Sequence, residues 1–337
     1  MGNEKLTKQA ESDINRGQRP FCYLCSGKST ILYEDLHDAL FGMEGRWNFR
    51  KCDNVYCRLM WLDPFPAGNE LSRAYENYYT HDISGSKREY VSGNKFLYWP
   101  LKQIDSILKR VTLNHRRRKE MDTMYLSGVH PGKLLEVGCG DGSRLARIRE
   151  LGWEVVGQDV DGKAMERARA NYGLTVFLGD LQNLSFEQDL FDAVIMNHVI
   201  EHVPDPVALL TECCRILKPG GILISITPNS ESFGHSYFKR YWMGLDPPRH
   251  LFLFSRNNLD LVVRKAGFAN VRIRTSAARA QSFARGSFDI NNYGRHIMGS
   301  RTVIRTEMLA MLFQLRALLI YAFNRNSGEE CVVEAIK

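Results

Sequence analysis

Three groups of side chains in this sequence are spaced for chemistry. The first lies in LLEVGCGDGSRLARI, Leu134–Ile148, where Glu136 and Asp141 stand among Gly138, Gly140 and Gly142. Such glycines let the backbone take positive φ and let a ligand lie against it with no Cβ in the way. A glycine turn that opens a helix usually points to phosphate, since free N–H groups face outward there. This turn lacks the Gly-Lys-Ser/Thr ending of a phosphate loop, and its acids suit a ligand carrying positive groups. The second group is Cys22 and Cys25 in FCYLC with Cys52 and Cys57 in KCDNVYC. Two thiolate pairs on tight turns are what a tetrahedral Zn²⁺ site needs, and four protein ligands make it structural rather than catalytic. His37 lies between the pairs, as a bystander or a substitute ligand. A metal-free remnant stays open, whereas a disulfide suits a cytoplasmic chain poorly. The third group is His198, His202 and His250, side chains that can exchange a proton near neutral pH.

The elements that must position these groups follow from the pattern. Apolar residues run into the glycine turn and an amphipathic segment leaves it, so a buried strand, a turn and a helix are expected there. Trp153–Asp159 reads as a second strand ending in an acid, at the spacing where an α/β nucleoside site sets a carboxylate on ribose hydroxyls. Val176–Asp180 is a third, Phe191–Met196 a fourth running into NHVIEHVPDP, and Gly221–Thr227 a fifth introduced by LKPGG. Val271–Thr275 and Glu330–Ile336 complete the set. Alternating strands and helices predict an α/β, mostly parallel, Rossmann-like sheet of seven strands with helices on both faces. Glu136, Asp159, Asp180 and Asn197 all fall near strand ends, and ligands of such sheets bind outside the carboxyl ends.

Together, EVGCGDG, the acid of GQD, the GD pair, IEHVPDP and LKPGG resemble the class I S-adenosylmethionine-dependent methyltransferases, in the branch with small-molecule, quinone and sugar methyltransferases. The resemblance covers about Lys133–Pro228. It implies that Glu136, Gly138, Cys139 and Gly140 shape the methionine end of the cofactor pocket. It further implies that Asp159, with Val160 beside it, meets the ribose, that Asp180 and Leu181 meet the adenine, and that Asn197 and His198 line the floor. By the same resemblance the last strand inserts antiparallel between the fifth and the sixth.

The expected organisation is a polar tail over 1–20, a zinc-knuckle domain over 21–66, a helical linker or lid over 67–130, and the methyltransferase core over 131–337 with a helical insertion at 277–328. After the second knuckle comes an apolar strand, a Pro-x-Pro turn and an aromatic-rich helix ending near YYTH. That order resembles bacterial methyltransferases associated with envelope polysaccharides. Tyr75, Tyr78 and Tyr79 either pack the knuckle on the core or stack on the acceptor. Leu101–Leu113 has helical spacing, and the short basic run Arg116–Lys119 is a solvated face or a contact for diphosphate or anionic lipid. The segment WMGLDPPRHLFLFS resembles the acceptor-side loop of the same branch, which makes Asp246, Arg249 and His250 candidates for acceptor binding or catalysis. Equally, Arg249 and His250 can pin the loop by hydrogen bonds. Ser255–Ala266 reads as a helix capped by Ser255 and stopped by Gly267.

Val303–Phe323 is strongly apolar but broken by Arg305, Glu307 and Arg316, so it reads as an amphipathic helix on the protein body, in a membrane interface or at a dimer contact. No signal-peptide pattern opens the chain, and a cytoplasmic enzyme, peripheral at most on the inner membrane face, is expected. Cys139, Cys213, Cys214 and Cys331 sit in apolar settings as core residues. A net charge of +7, from 45 Lys and Arg against 38 acids, is diffuse. It lacks the concentrated basic stripe with interleaved aromatics of single-stranded RNA binders, so no nucleic-acid partner is expected. The expected reaction is methyl transfer to a small molecule or glycan, above all a nucleotide- or lipid-linked sugar. An RNA methyltransferase and a non-catalytic cofactor-binding scaffold are the alternatives. His198 or His250 would be the base.

Overall fold

The computed structural model describes residues 19–66, 71, 73–74, 103, 106–108, 110, 112, 114–296 and 304–337. The tail, most of the helical linker and Tyr75, Tyr78 and Tyr79 lie outside the described residues.

The core is a sheet of seven strands. Strands β4 (Lys133–Val137), β5 (Glu154–Asp159), β6 (Val176–Leu178), β7 (Phe191–Asn197) and β8 (Leu217–Pro228) run parallel, in the spatial order β8-β7-β4-β5-β6. On the far side of β8, β11 (Glu330–Ile336) pairs antiparallel with both β8 and β10 (Asn270–Ser276). This is the topology that the resemblance implies. Successive strand residues point to opposite faces, which sorts the core into two apolar layers. Leu135, Val194 and Leu223 enter one layer, while their neighbours Leu134, Ile195 and Ile224 enter the other.

The N-terminal part forms a second, antiparallel sheet from β1 (Ser29–Leu36), β2 (Trp47–Cys52) and β3 (Met60–Asp63). Its fourth strand is not local. It is β9 (Phe252–Leu253), from the acceptor-side loop, which pairs with β3 through Met60↔Leu253 and Trp61↔Phe252. The sheet of the N-terminal part therefore takes its edge strand from beyond the fifth core strand. Trp47, Phe49, Trp61, Phe252 and Phe254 are all buried in one continuous cluster with the core layer that holds Leu135.

Helices follow the expected sites. α1 (Asn114–Asp122) precedes the core, α2 (Ser143–Glu150) leaves the glycine turn, and α3 (Gly162–Tyr172) is capped by the Asp161 side chain. α4 (Pro206–Ile216) starts at Asp205, whose carboxylate accepts the Ala208 N–H at 2.9 Å, with Pro206 in the first turn where no N–H is needed. α5 is Phe233–Phe238, and α6 (Arg256–Lys265) is the helix expected after Ser255. The insertion holds α7 (Ala280–Tyr293) and α8 (Ile304–Phe323). Asn114 and Arg118 of α1 both donate to the Ala278 carbonyl beyond β10.

One charged cluster fastens the two sheets together. Arg249 is fully buried; its guanidinium donates to Asp38 at 2.8 and 2.7 Å, to Asp246, and lies 4.3 Å from the Phe41 ring centre. Burial works against ionising Asp38, yet the hydrogen bonds and charge of Arg249 outweigh it and hold its carboxyl below the usual range. Removing one partner of such a group leaves uncompensated buried charge. Arg249→Met should therefore cost about 3–5 kcal/mol of stability, read as a lowered urea midpoint. An unchanged midpoint would show that the cluster is not a tie.

Candidate active site

The glycine turn hangs over the carboxyl edge of β4. Gly138, Gly140 and Gly142 have φ of 67°, 54° and 75°, in the left-handed region that glycine takes without strain. A Cβ on Gly138 would lie 2.5 Å from Val199 Cγ2, so the turn and the loop after β7 are in direct contact. Cys139 is buried beneath the turn, and burial pushes its thiol pKa up, away from reactivity.

Two carboxylates frame this turn. Asp159, at the end of β5, is nearly buried; one oxygen accepts the Gly140 N–H at 2.7 Å and the other accepts the Asp161 N–H at 2.9 Å. Each oxygen keeps a second lone pair. Glu136 is buried in β4, with Oε1 3.0 Å from Arg144 and Oε2 without a partner among the described residues. Burial raises its pKa to about 7, the Arg144 charge offsetting only part of that effect.

Sequence reasoning did not single out Gln158. Its side chain accepts the Gly138 N–H at 3.3 Å and donates to the Gly179 carbonyl at 2.5 Å, tying the turn to the end of β6. Asp180 is exposed at the head of a short turn, Leu181–Asn183, and Leu181 is buried under it. Val160 is 64% exposed beside Asp159, and Asn197 is half-buried at the end of β7. Glu136, Asp159, Asp180 and Asn197 thus gather at one edge, as expected.

On the other side of the turn, His198 follows β7 with φ of 56°. Its Nδ1 lies 2.9 Å from Glu201 Oε1 and its Nε2 2.9 Å from Glu330 Oε1, both carboxylates fully buried, while 23% of the ring remains exposed. Burial opposes the charged ring, but the two carboxylates outweigh it and raise its pKa to about 9. Burial also opposes ionising Glu201, and His198 outweighs it, lowering that pKa to about 2. Thr227 Oγ1 donates to Glu201 Oε2 at 2.9 Å. Glu330 and Thr227 were missed from sequence. The one available signal was Glu330 opening the largely apolar strand ECVVEAI, with Glu329 just before it.

Asp246, Arg249 and His250 do not join His198. Arg249 occupies the pinning position described above. His250 is buried, its Nδ1 2.8 Å from the Gly244 carbonyl and its ring edge-on to His202 at 4.7 Å. His202 Nδ1 bonds the Arg249 carbonyl at 3.0 Å, and burial lowers its pKa to about 4. Glu201, His202 and His250 thus knit the turn after β7 to the acceptor-side loop.

The cysteines form a separate cluster on the N-terminal sheet. Cys22 and Cys57 sulfurs are 3.6 Å apart, Cys25 and Cys52 sulfurs 3.4 Å, and all four lie within 4.8 Å of one another. His37 is a bystander, bonded through Nε2 to the Gly294 carbonyl at 2.8 Å.

A family model of the methyltransferase domain matches residues 104–273, half of the chain. The chain is a member of this methyltransferase family. It is 33% identical over 149 residues to a ubiquinone biosynthesis O-methyltransferase of Cereibacter sphaeroides, covering 40% of this chain and 59% of the relative. It is 29% identical over 169 residues to one from Rhodopseudomonas palustris, covering 45% and 66%. The methyltransferase thus spans 59% of the length of the first of these relatives. Among solved structures, an S-adenosylmethionine-dependent methyltransferase of Thermotoga maritima aligns with a TM-score of 0.45 and 21% identity, over 71% of this chain and 99% of that one.

S-adenosylmethionine is the family's cofactor, and the residues present fit it. Its ammonium would meet the partnerless Glu136 oxygen, and its ribose hydroxyls the remaining Asp159 lone pairs. Asp159→Ala should weaken S-adenosylhomocysteine binding by about 1–3 kcal/mol. An unchanged calorimetric affinity would remove Asp159 from the ribose.

Proposed function

We propose that this methyltransferase methylates a hydroxyl group of a small molecule, with His198 taking the proton. The observation that carries this reading is the carboxylate–imidazole–carboxylate row Glu201–His198–Glu330, set beside the loop that touches Gly138. The methyltransferase relatives named above are O-methyltransferases, which favours oxygen over nitrogen or carbon. The bound cofactor supplies an electrophilic methyl group on a sulfonium, and the chain's task is to align the acceptor and remove its proton.

A hydroxyl is a poor nucleophile until its proton leaves. A base held near 9 takes a proton from an alcohol or phenol more readily once neutral than an unperturbed imidazole does, with a smaller neutral fraction at neutral pH. Neutral His198 would keep its Nδ1–H on Glu201, and its Nε2 lone pair, which faces Glu330 in this structure, would take the acceptor's proton with the hydroxyl in place of that contact. The cluster of Asp246, Arg249 and His250 acts by positioning, since these side chains are spent on the loop itself.

The finer reading, a nucleotide- or lipid-linked sugar of envelope glycan synthesis, rests on the resemblance of the knuckle and of WMGLDPPRHLFLFS to that branch. We propose zinc as the occupant of the cysteine cluster. A tetrahedral Zn²⁺ with Zn–S of about 2.3 Å needs sulfurs about 3.8 Å apart, close to the separations found. The ion would order the knuckles beside β3 and take no part in methyl transfer.

Two measurements test these readings. Radiolabelled methyl should pass from S-adenosylmethionine into the quinone, lipid or sugar-nucleotide fraction of a host extract. With the acceptor so found, kcat should rise about tenfold per pH unit from neutrality and level near pH 9. His198→Gln should lose about 100-fold and the pH dependence with it. Label in RNA would overturn the small-molecule reading, and an unaltered profile in the variant would remove His198 as base. Separately, the purified protein should hold one zinc per chain, lost in Cys22→Ser. Full metal content in that variant would refute the ligand set.

A further inference from the structure

The insertion between β10 and β11 carries a surface that methyl transfer does not explain. Helix α8 buries Thr306, Ala310, Met311, Phe313, Gln314 and Ala317 against the protein. Its opposite face leaves Met308, Leu312, Leu319 and Phe323 exposed at 46, 61, 62 and 88%. Their spacing, 308, 312, 319 and 323, is that of a single helical stripe. Exposed apolar side chains aligned in this way mark an interaction surface rather than scatter.

The two exposed charges on the outer face of α8 are both positive. Arg305 and Arg316 are exposed on the same face. The helix's single acid, Glu307, is turned inward to Arg285 at 2.7 Å. Arg316 lies 5.9 Å from the ring centre of Tyr237, which extends the patch onto α5 and the residues after it. There Tyr237 and Tyr241 are 49 and 41% exposed, with exposed Lys239 and Arg240 between them.

We infer that this face binds an anionic lipid surface, with α8 lying in the plane of the interface. Apolar side chains would enter the acyl boundary, arginines would meet phosphates, and the tyrosines would sit at headgroup depth. The helix is long and apolar enough to span a bilayer by composition, with a mean hydropathy of 1.4 over its best window. Arg316 in mid-helix, and an inner face already packed on the protein, favour the in-plane placement. A two-fold dimer through the same face would bring its arginines towards their own copies, with no acid on that face to pair them among the described residues.

The inference does not depend on which acceptor is methylated. Its test is co-sedimentation of the intact protein with vesicles of phosphatidylglycerol and phosphatidylcholine in equal parts, against vesicles of phosphatidylcholine alone. Partitioning should favour the anionic vesicles by about tenfold or more and fall with added salt. The double variant Leu312→Glu, Leu319→Glu should abolish it, and Arg305→Ser with Arg316→Ser should remove the preference for anionic lipid. Both variants should keep their affinity for S-adenosylhomocysteine, which reports an intact fold. Absence of binding, or equal binding to both vesicles, would overturn the inference. So would a dimer in sedimentation that Leu312→Glu dissociates.

Discussion

The buried charge of Glu201 is the constraint on which the site depends. A carboxylate with no exposure survives only when its oxygens are answered by donors. One oxygen takes His198 and the other takes Thr227 from the neighbouring strand. Its backbone carbonyl accepts the Leu251 N–H at 2.8 Å, and the Leu251 carbonyl in turn accepts the Leu62 N–H at 3.0 Å. Three bonds therefore run from the imidazole to the N-terminal sheet, through Glu201 and Leu251 to Leu62. The orientation of His198 and the seat of β9 on β3 are fixed by the same residue.

This continuity explains why the cysteine module and the methyltransferase core share one apolar cluster. β9 is only two residues long and would not hold an edge alone. It is held from below by Glu201 and from the side by Arg249, whose carboxylate partners come one from each part of the chain. Asn258, in the first turn of α6, adds a bond from its side chain to the Cys57 carbonyl at 3.1 Å. Any movement of the knuckles would be felt first in the loop between β8 and α6.

Much of this was legible in the sequence, because it is local. The strand–turn–helix at Glu136, the acids ending β5 and following β6, and the antiparallel last strand follow from pattern, turn chemistry and family resemblance. The paired cysteines were legible from spacing alone. Three things were not. Asp38 sits in an undistinguished turn, and nothing nearby shows that it neutralises Arg249, 211 residues away. Glu330 looks like a strand-opening acid until β11 is placed against β8, which brings it to His198. The borrowing of β9 by the N-terminal sheet is invisible because FLF reads as a short apolar run compatible with either sheet. What sequence hid in each case was a long-range partner.

That last point bears on how a base should be sought in such a chain. His198, His202 and His250 are equivalent as residue types, and all follow motifs of the same resemblance. Their surroundings separate them. His202 is half-buried with its Nδ1 on a carbonyl, and desolvation lowers its pKa to about 4, so it stays neutral. His250 spends its Nδ1 on the Gly244 carbonyl and its ring against His202. His198, 23% exposed, alone of the three combines contact through its neighbour with the glycine turn and two carboxylates raising its proton affinity. The acids that make it a strong base also keep it protonated at neutral pH. On the proposed reading of His198 as base, activity and the rigidity of the turn would be set by one balance: stronger carboxylate contacts would hold the loop more firmly, and leave a smaller fraction of the ring ready to accept a proton.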